Sequence, residues 1–251
     1  MRIHPVSDLH IDFEEYEFPE DLDSPDVVIM AGDTAEGLRG FKWALTLPYK
    51  VIYILGNHEN YSHDRFELIK DMRLMSVGTN VTFMENDEYC VEGVRFLAAT
   101  LFTDYEYGAT TVVNMMNAQR EMSDFYYSKY KGKKIIPQNY LDWHNESKRF
   151  LNDRLDAKFD GPTIVISHHG PTPKCLEAFG RPDKLSASYA SEKLDNVIAK
   201  ANLWIFGHTH TSSDFMLGDC RVLSNARGYY GENQDFNSHL IIDTNDILHN
   251  V

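Results

Sequence analysis

The sequence predicts an α/β fold in which a two-sheet β-sandwich core is flanked by helices. Short apolar runs rich in Val and Ile recur at residues 3–6, 27–31, 51–55, 164–166 and 203–206, as strands buried on both faces do. Segments with helical spacing lie between some of them, at residues 38–46, 63–75, 139–157 and 188–200. That alternation implies a largely parallel central sheet. Two stretches break it: residues 81–101 read as strand–turn–strand with a turn near Glu92-Gly93, and after His210 an all-β stretch runs through 221–224 and 240–243. Two antiparallel groups, one in mid-chain and one at the end, predict a second sheet packed on the first.

The chain has 251 residues, 43% of them apolar and 12% aromatic. That suits one domain with a substantial core and speaks against disorder. We read residues 1–251 as a single domain with one candidate insertion, at about 103–135. The segment is polar and Tyr-rich (Tyr105, Tyr107, Tyr126, Tyr127, Tyr130) and ends in a basic run at 129–134. It reads either as a solvated excursion with some helix or as a cap over a site, since long insertions are often lids or binding loops.

With 24 Lys+Arg against 38 Asp+Glu, the formal charge is −14. A surface of that sign repels phosphate backbones and argues against nucleic acid as a partner. A small phosphorylated substrate is still allowed, because bound cations can reverse the potential of one pocket. Cys90, Cys175 and Cys220 are widely spaced, a poor disulfide framework that fits a reducing compartment. No run of about 18 apolar residues and no apolar leader core is present. The expectation is a cytoplasmic protein with no membrane partner; oligomeric state is not legible.

Each of the five apolar runs ends in metal-capable side chains: Ser7-Asp8-Leu9-His10, Gly32-Asp33, Gly56-Asn57-His58-Glu59, Ser167-His168-His169-Gly170-Pro171 and Gly207-His208-Thr209-His210. Ligands of α/β sheets bind beyond the carboxyl ends of the strands, so five loops would deliver Asp, His and Asn to one place. In extended backbone, residues i and i+2 point the same way, so Asp8 with His10, and His208 with His210, can each aim two ligands at one site. Glycines 32, 56 and 207 relieve crowding where the chain turns beside the metals. Oxygen and imidazole donors without thiolate suit Mn, Fe or Zn.

This ordered set, D-x-H, G-D, G-N-H-E, H-H-G-P and G-H-T-H, resembles the calcineurin-like metallophosphoesterase superfamily from residue 8 to residue 210, with the terminal β stretch also matching. The resemblance implies a four-layer α-β-β-α architecture and two divalent or trivalent metal ions. Asp8, His10 and His210 would hold the first metal, Asn57, His168 and His208 the second, and Asp33 would bridge them. His168 is preferred to His169 because the first His of such a pair usually matches the ligand position. His58 would sit just off the metals, contacting the substrate phosphate or protonating the leaving oxygen. The implied reaction is hydrolysis of a phosphate monoester or phosphodiester by a metal-activated water. Thr103-Asp104, Met122-Ser123-Asp124-Phe125 and His144-x-x-Ser147 look like a bacterial subgroup of unnamed substrate. The acidic residue after Asp33 is Glu36, which receives no metal role.

Two other readings stand beside the hydrolase. Some members of the superfamily are non-catalytic scaffolds, but here every ligand position and His58 are filled. A nuclease would need a positive track with stacking aromatics; Lys129, Lys131, Lys133 and Lys134 with the tyrosines around them are the candidate, and the net charge opposes it. Arg227 could fork onto a substrate phosphate or pair with a carboxylate, the latter preferred. His4, His63, His239 and His249 read as surface or satisfied core residues, His144 as a packed helix residue, and Cys175 as structural. His169 reads equally as a hydrogen-bonding support for the site or as surface.

Overall fold

A computed structural model describes residues 1–179 and 183–248; His249 lies outside the described residues. The chain begins with β1 (Arg2–Val6), β2 (Val27–Ala31), α1 (Arg39–Ala44), β3 (Val51–Ile54), α2 (Arg65–Ser76) and β4 (Val81–Phe83). The hairpin β5 (Asp87–Val91) and β6 (Val94–Ala99) follows, then α3 (Thr111–Glu121), α4 (Asp124–Tyr127), β7 (Lys129–Tyr130), β8 (Lys133–Lys134) and the long α5 (Pro137–Asp156). After these come β9 (Thr163–Ser167), α6 (Asp195–Ile198), β10 (Leu203–Phe206), β11 (Ser212–Leu217), β12 (Cys220–Asn225), β13 (Ile242–Asp243) and α7 (Thr244–Leu248).

Two main sheets form, in the orders β13-β1-β2-β3-β4 and β11-β12-β10-β9-β6-β5, beside the small β7-β8 pair. The five apolar runs therefore divide between two sheets and do not share one. β1, β2, β3 and β4 are parallel, with β13 antiparallel at the edge. In the second sheet β12, β10, β9 and β6 are parallel, and the antiparallel pairs are confined to the edges, β5 and β11. So the two antiparallel groups supply edges of a mixed sheet, and the last strand returns to the first sheet.

The period-2 alternation of strand side chains sorts the apolar residues into layers. Ile29, Ile52 and Ile54 meet Phe96, Ile164, Ile166 and Ile205 between the sheets. The opposite faces are covered as well: Val28, Met30 and Tyr53 pack on Phe41 of α1 and Met72 of α2, and Val165, Trp204 and Val222 pack on Leu151 of α5 and Val197 of α6. Both faces buried is why these strands read as unbroken apolar runs. The result is the expected four layers. Among the described residues no helix is long and apolar enough to cross a membrane.

The helical expectation for 188–200 fails except at α6. Backbone donors of that stretch are taken by distant partners: Ser191 N–H reaches the Gly170 carbonyl, and Asp104 accepts from the N–H groups of Glu192 and Lys193 at 3.0–3.2 Å. A helix would need those same donors for its own i−4 carbonyls. Tertiary hydrogen bonds win locally.

Phe96 is fully buried between the sheets. Phe96→Ala is expected to cost about 3–5 kcal/mol in urea unfolding; a loss below about 1 kcal/mol would mean that this interface is not the core.

Candidate metal centre

The loops after β1, β2, β3, β9 and β10 converge at one end of the sandwich. One group of donors, Asp8, His10, Asp33 and His210, and another, Asp33, His168 and His208, each bring their ligand atoms within 4.8 Å of one another. Asp33 belongs to both. Nε2 of His10 and of His210 stand 3.1 Å apart, and His210 Nε2 is 3.4 Å from Asp8 Oδ1. On the other side, His168 Nε2 is 3.3 Å from Asp33 Oδ2 and 3.0 Å from Asn57 Oδ1. All seven side chains named for the metals are thus gathered. His168, not His169, has its ring nitrogen beside Asp33.

The backbone at these loops departs from the extended geometry expected of it. Asp8 (φ 53°), His10 (45°), Asp33 (53°), His208 (69°) and His210 (49°) all lie in the left-handed region. Asp and His enter it more readily than most residues, yet such positions still cost on the order of 1–3 kcal/mol each. Loop-to-loop hydrogen bonds hold the turns: Asp8 N–H donates to the Gly32 carbonyl at 3.0 Å, and His10 N–H to the Asp33 carbonyl at 3.1 Å. His208 N–H donates to both oxygens of Asp8 at 3.0 Å.

Glycine allows the close approach. A Cβ on Gly56 would lie 2.0 Å from Asp33 Oδ1, and one on Gly207 would lie 2.7 Å from Asp8 Oδ2. Neither glycine has a left-handed φ; what they supply is space for a carboxylate. Gly32 supplies both, with φ 88° and a Cβ position 2.5 Å from His168 Nδ1.

Sequence reasoning named Glu59 within the G-N-H-E motif but gave it no role. Its buried carboxylate accepts from the N–H groups of Asp33 (3.1 Å), Thr34 (2.9 Å) and Gly56 (2.7 Å) and from the Tyr53 hydroxyl (3.0 Å). It fastens the β2 loop to the β3 loop. Burial and the neighbouring Asp33 push its pKa up to about 7. Glu232 was missed: its Oε2 lies 2.6 Å from His210 Nδ1, the carboxylate–imidazole arrangement that fixes a ligating ring. The Ala31 carbonyl does the same for His168, accepting from Nδ1 at 2.9 Å. Neither partner sits in a motif, so spacing could not reveal them.

The donor set fits cations. Asp33 Oδ2 and His208 Nε2 are buried without a hydrogen-bond partner, although such groups are normally satisfied. Asp33 Oδ1 is used, accepting His58 N–H at 2.9 Å; Oδ2 lies 3.3 Å from His168 Nε2, and the carboxylate belongs to both clusters. With protein groups alone, imidazoles supply the positive charge. Burial lowers His168, but Asp33 and Asp8 overcome it and hold the ring up at about 10. Burial likewise opposes His210, while Asp8 and Glu232 raise it to about 9. Burial keeps His10 neutral, down at about 4. A metal ion would take over that charge from the protons.

His58 stands beside this centre, Nε2 3.9 Å from Asp33 Oδ2. Its ring stacks on Tyr61 at 4.3 Å, and its Nε2 is 3.5 Å from the Tyr229 hydroxyl. Tyr229 in turn stacks on His10 at 4.5 Å. A cavity of about 310 Å³ opens here, lined by Asp33, Asn57, His58, His208 and His210 and, from the 103–135 segment, by Glu121, Met122, Ser123 and Asp124. Asp124 is buried and accepts the hydroxyls of Tyr61 (2.9 Å) and Tyr140 (2.5 Å). Tyr105, Met122 and Phe125 of the segment form a small core with Phe102 and with Tyr140 of α5.

The remaining candidates lie elsewhere. Arg227 is drawn to Glu14: its guanidinium donates to Glu14 Oε2 at 2.5 Å and to the Leu9 and Glu14 carbonyls, outside the cavity lining. The structure gives it the carboxylate pair and no place on a substrate phosphate. His169 is fully buried and tilted against His208 at 4.2 Å, so it is not surface. It packs. The basic run folds into the β7-β8 hairpin, its turn held by Asp64 through the N–H groups of Lys131 and Gly132. The cavity's described lining includes none of its lysines. His144 and Cys175 are buried, His63 turns Nδ1 toward the Tyr61 carbonyl, and His239 pairs with Asp21.

A sandwich carrying Asp, His and Asn on loops at the carboxyl ends of its strands, gathered round one carboxylate, is the architecture of a metal-dependent hydrolase. The model of the calcineurin-like phosphoesterase family matches residues 1–212. The chain belongs to that family and is a metal-dependent phosphoesterase. It is similar to an uncharacterized protein of Acanthamoeba polyphaga mimivirus, 22% identical over 276 residues that span 97% of this chain and 96% of that one. The crystal structure of a phosphopantetheinyl hydrolase from Mycobacterium tuberculosis shares the fold, with TM-score 0.72 and 21% identity over 92% of this chain and 90% of that chain.

Gly56→Ala tests the carboxylate cradle. The variant is expected to keep its circular dichroism spectrum and to bind Mn²⁺ at least tenfold more weakly by calorimetry; unchanged affinity would show that Asp33 is not held by this contact.

Proposed function

We propose that the chain hydrolyses a phosphate ester with two metal ions, one held by Asp8, His10 and His210 and the other by Asn57, His168 and His208, with Asp33 between them. The observation that carries this reading is the shared Asp33, whose buried carboxylate belongs to both donor groups. When bound, such a pair lowers the pKa of a water, orients phosphate oxygens and neutralises charge in the transition state. The chain's own residues do the rest. Ala31 and Glu232 fix the tautomers of His168 and His210. Tyr61 and Tyr229 flank His58, so that its ring is held toward the phosphate, where it contacts an oxygen or gives a proton to the leaving oxygen. Such assistance contributes about 10²–10⁴ in rate.

Residues 103–135 act in this reading as a cap. They contribute Glu121, Met122, Ser123 and Asp124 to the cavity, and Asp124 fastens them to Tyr61, the residue on which His58 stacks. Mn, Fe and Zn all accept these ligands.

The metal-free protein, given Mn, Zn or Fe in turn, is tested on p-nitrophenyl phosphate, bis-p-nitrophenyl phosphate, cyclic nucleotides, single-stranded DNA and, prompted by the mycobacterial neighbour's name, a phosphopantetheinyl ester. Turnover of at least one ester that vanishes in Asp33→Asn is expected; no turnover with any metal would sink the proposal. For His58→Ala, both metals are retained and activity falls most on alkyl esters and least on p-nitrophenyl esters. Equal losses on the two would remove the proton-donor role and leave electrostatic positioning.

A further inference from the structure

A second cleft adjoins the metal-facing cavity. It measures about 380 Å³ and shares His58, Tyr61, Ser123 and Tyr229 with the first. What it adds is Phe13, Glu36, Ser62 and Tyr127. The two cavities therefore meet at His58 and the aromatic rings around it.

The exposure of these rings is unusual for residues with no partner to bind. Phe13 is 65% exposed, Tyr127 57% and Tyr229 38%, yet all three line the same cleft. Phe13 stands edge-on to Tyr229 with centroids 5.3 Å apart, and Tyr127 is tilted against Tyr61 at 6.0 Å. Scattered surface aromatics need no explanation, but several on one concave surface mark a binding site. Phe13 is also tightly placed: its N–H donates to the His10 carbonyl at 2.9 Å, so the turn that carries a metal-ligand candidate also presents this ring.

We infer that this cleft is the subsite for the second organic arm of a phosphodiester, an uncharged arm with a flat or apolar surface. The inference rests on the proposed hydrolase reading. A phosphate in front of Asp33 would have one ester arm in the cavity walled by Met122 and Asp124. Its other arm would pass His58 into the cleft of Phe13, Tyr127 and Tyr229. A monoester would leave the cleft unused. The carboxylate of Glu36 on its wall disfavours a second phosphate there, which separates this substrate from a nucleoside di- or triphosphate. In the reaction, water adds to phosphorus, the P–O bond to the arm beside His58 breaks, and that oxygen takes up one proton. The products are a phosphomonoester and an alcohol.

Two ligands, one with and one without the second arm, test the inference through the change that each variant makes to its own affinity on the full-length, Mn-loaded protein. Diphenyl phosphate and phenyl phosphate are titrated by calorimetry against wild type, Phe13→Ala and Tyr127→Ala. An aromatic contact is worth about 0.5–1.5 kcal/mol, so each variant is expected to weaken diphenyl phosphate about two- to thirteenfold and phenyl phosphate less than twofold. In kinetics, kcat/KM of wild type for bis-p-nitrophenyl phosphate exceeds that for methyl p-nitrophenyl phosphate, and Phe13→Ala narrows the gap. Equal effects of both variants on the two ligands, or none, would overturn the subsite. Absence of turnover on every ester would sink the hydrolase reading instead, while the binding ratio would still decide the cleft.

Discussion

Everything at this site depends on how one carboxylate is held. Asp33 is fully buried among imidazoles, and its two oxygens are kept apart in function: Oδ1 is occupied by the N–H of His58, and Oδ2 faces the His168 ring at 3.3 Å. Burial alone would raise its pKa, but His168, His58 and His10 hold it well below the usual carboxylate range. A buried charge of that kind is tolerated only beside compensating positive charge. Here that charge comes from imidazolium, and a cation would serve the same need with more of it.

The surroundings of Asp33 show what this arrangement costs. Five candidate ligand positions adopt left-handed backbone, and two glycines make room for carboxylate oxygens where no Cβ fits. Such strain persists only where the rest of the structure over-determines it. Glu59 is the principal brace, with four donors drawn from two loops and one strand. Sheet packing behind it is continuous, since the strands feeding these loops are buried on both faces. The stable layers and the strained tips are parts of one device: rigid strands carry conformations that no isolated loop would keep.

Much of this was legible in the sequence because metal ligands are confined to a few residue types and sit at strand ends. Asp8, His10, Asp33, Asn57, His168, His208 and His210 were picked out by motif, and the folded chain brings them together. The geometric reason given for the D-x-H and H-x-H pairs was wrong, as left-handed turns replace extended backbone there. What stayed hidden shares one property: it depends on contacts between distant segments. Glu232 reaches His210 and Asp124 reaches Tyr61 across 22 and 63 residues; Arg227 finds Glu14 across 213. The division of the parallel strands into two sheets is likewise invisible to periodicity, which reports burial but not the neighbour. The helix read at 188–200 fails outside α6 for the same reason, its donors there claimed by Asp104 and Gly170.

The central claim is that a pair of cations shares Asp33. Anomalous diffraction from a crystal soaked in manganese tests it most directly. Two peaks about 3.5–4 Å apart, one beside His10 and His210 and the other beside Asn57, His168 and His208, with Asp33 touching both, are the predicted result. A single peak, or two that Asp33 does not join, would contradict it.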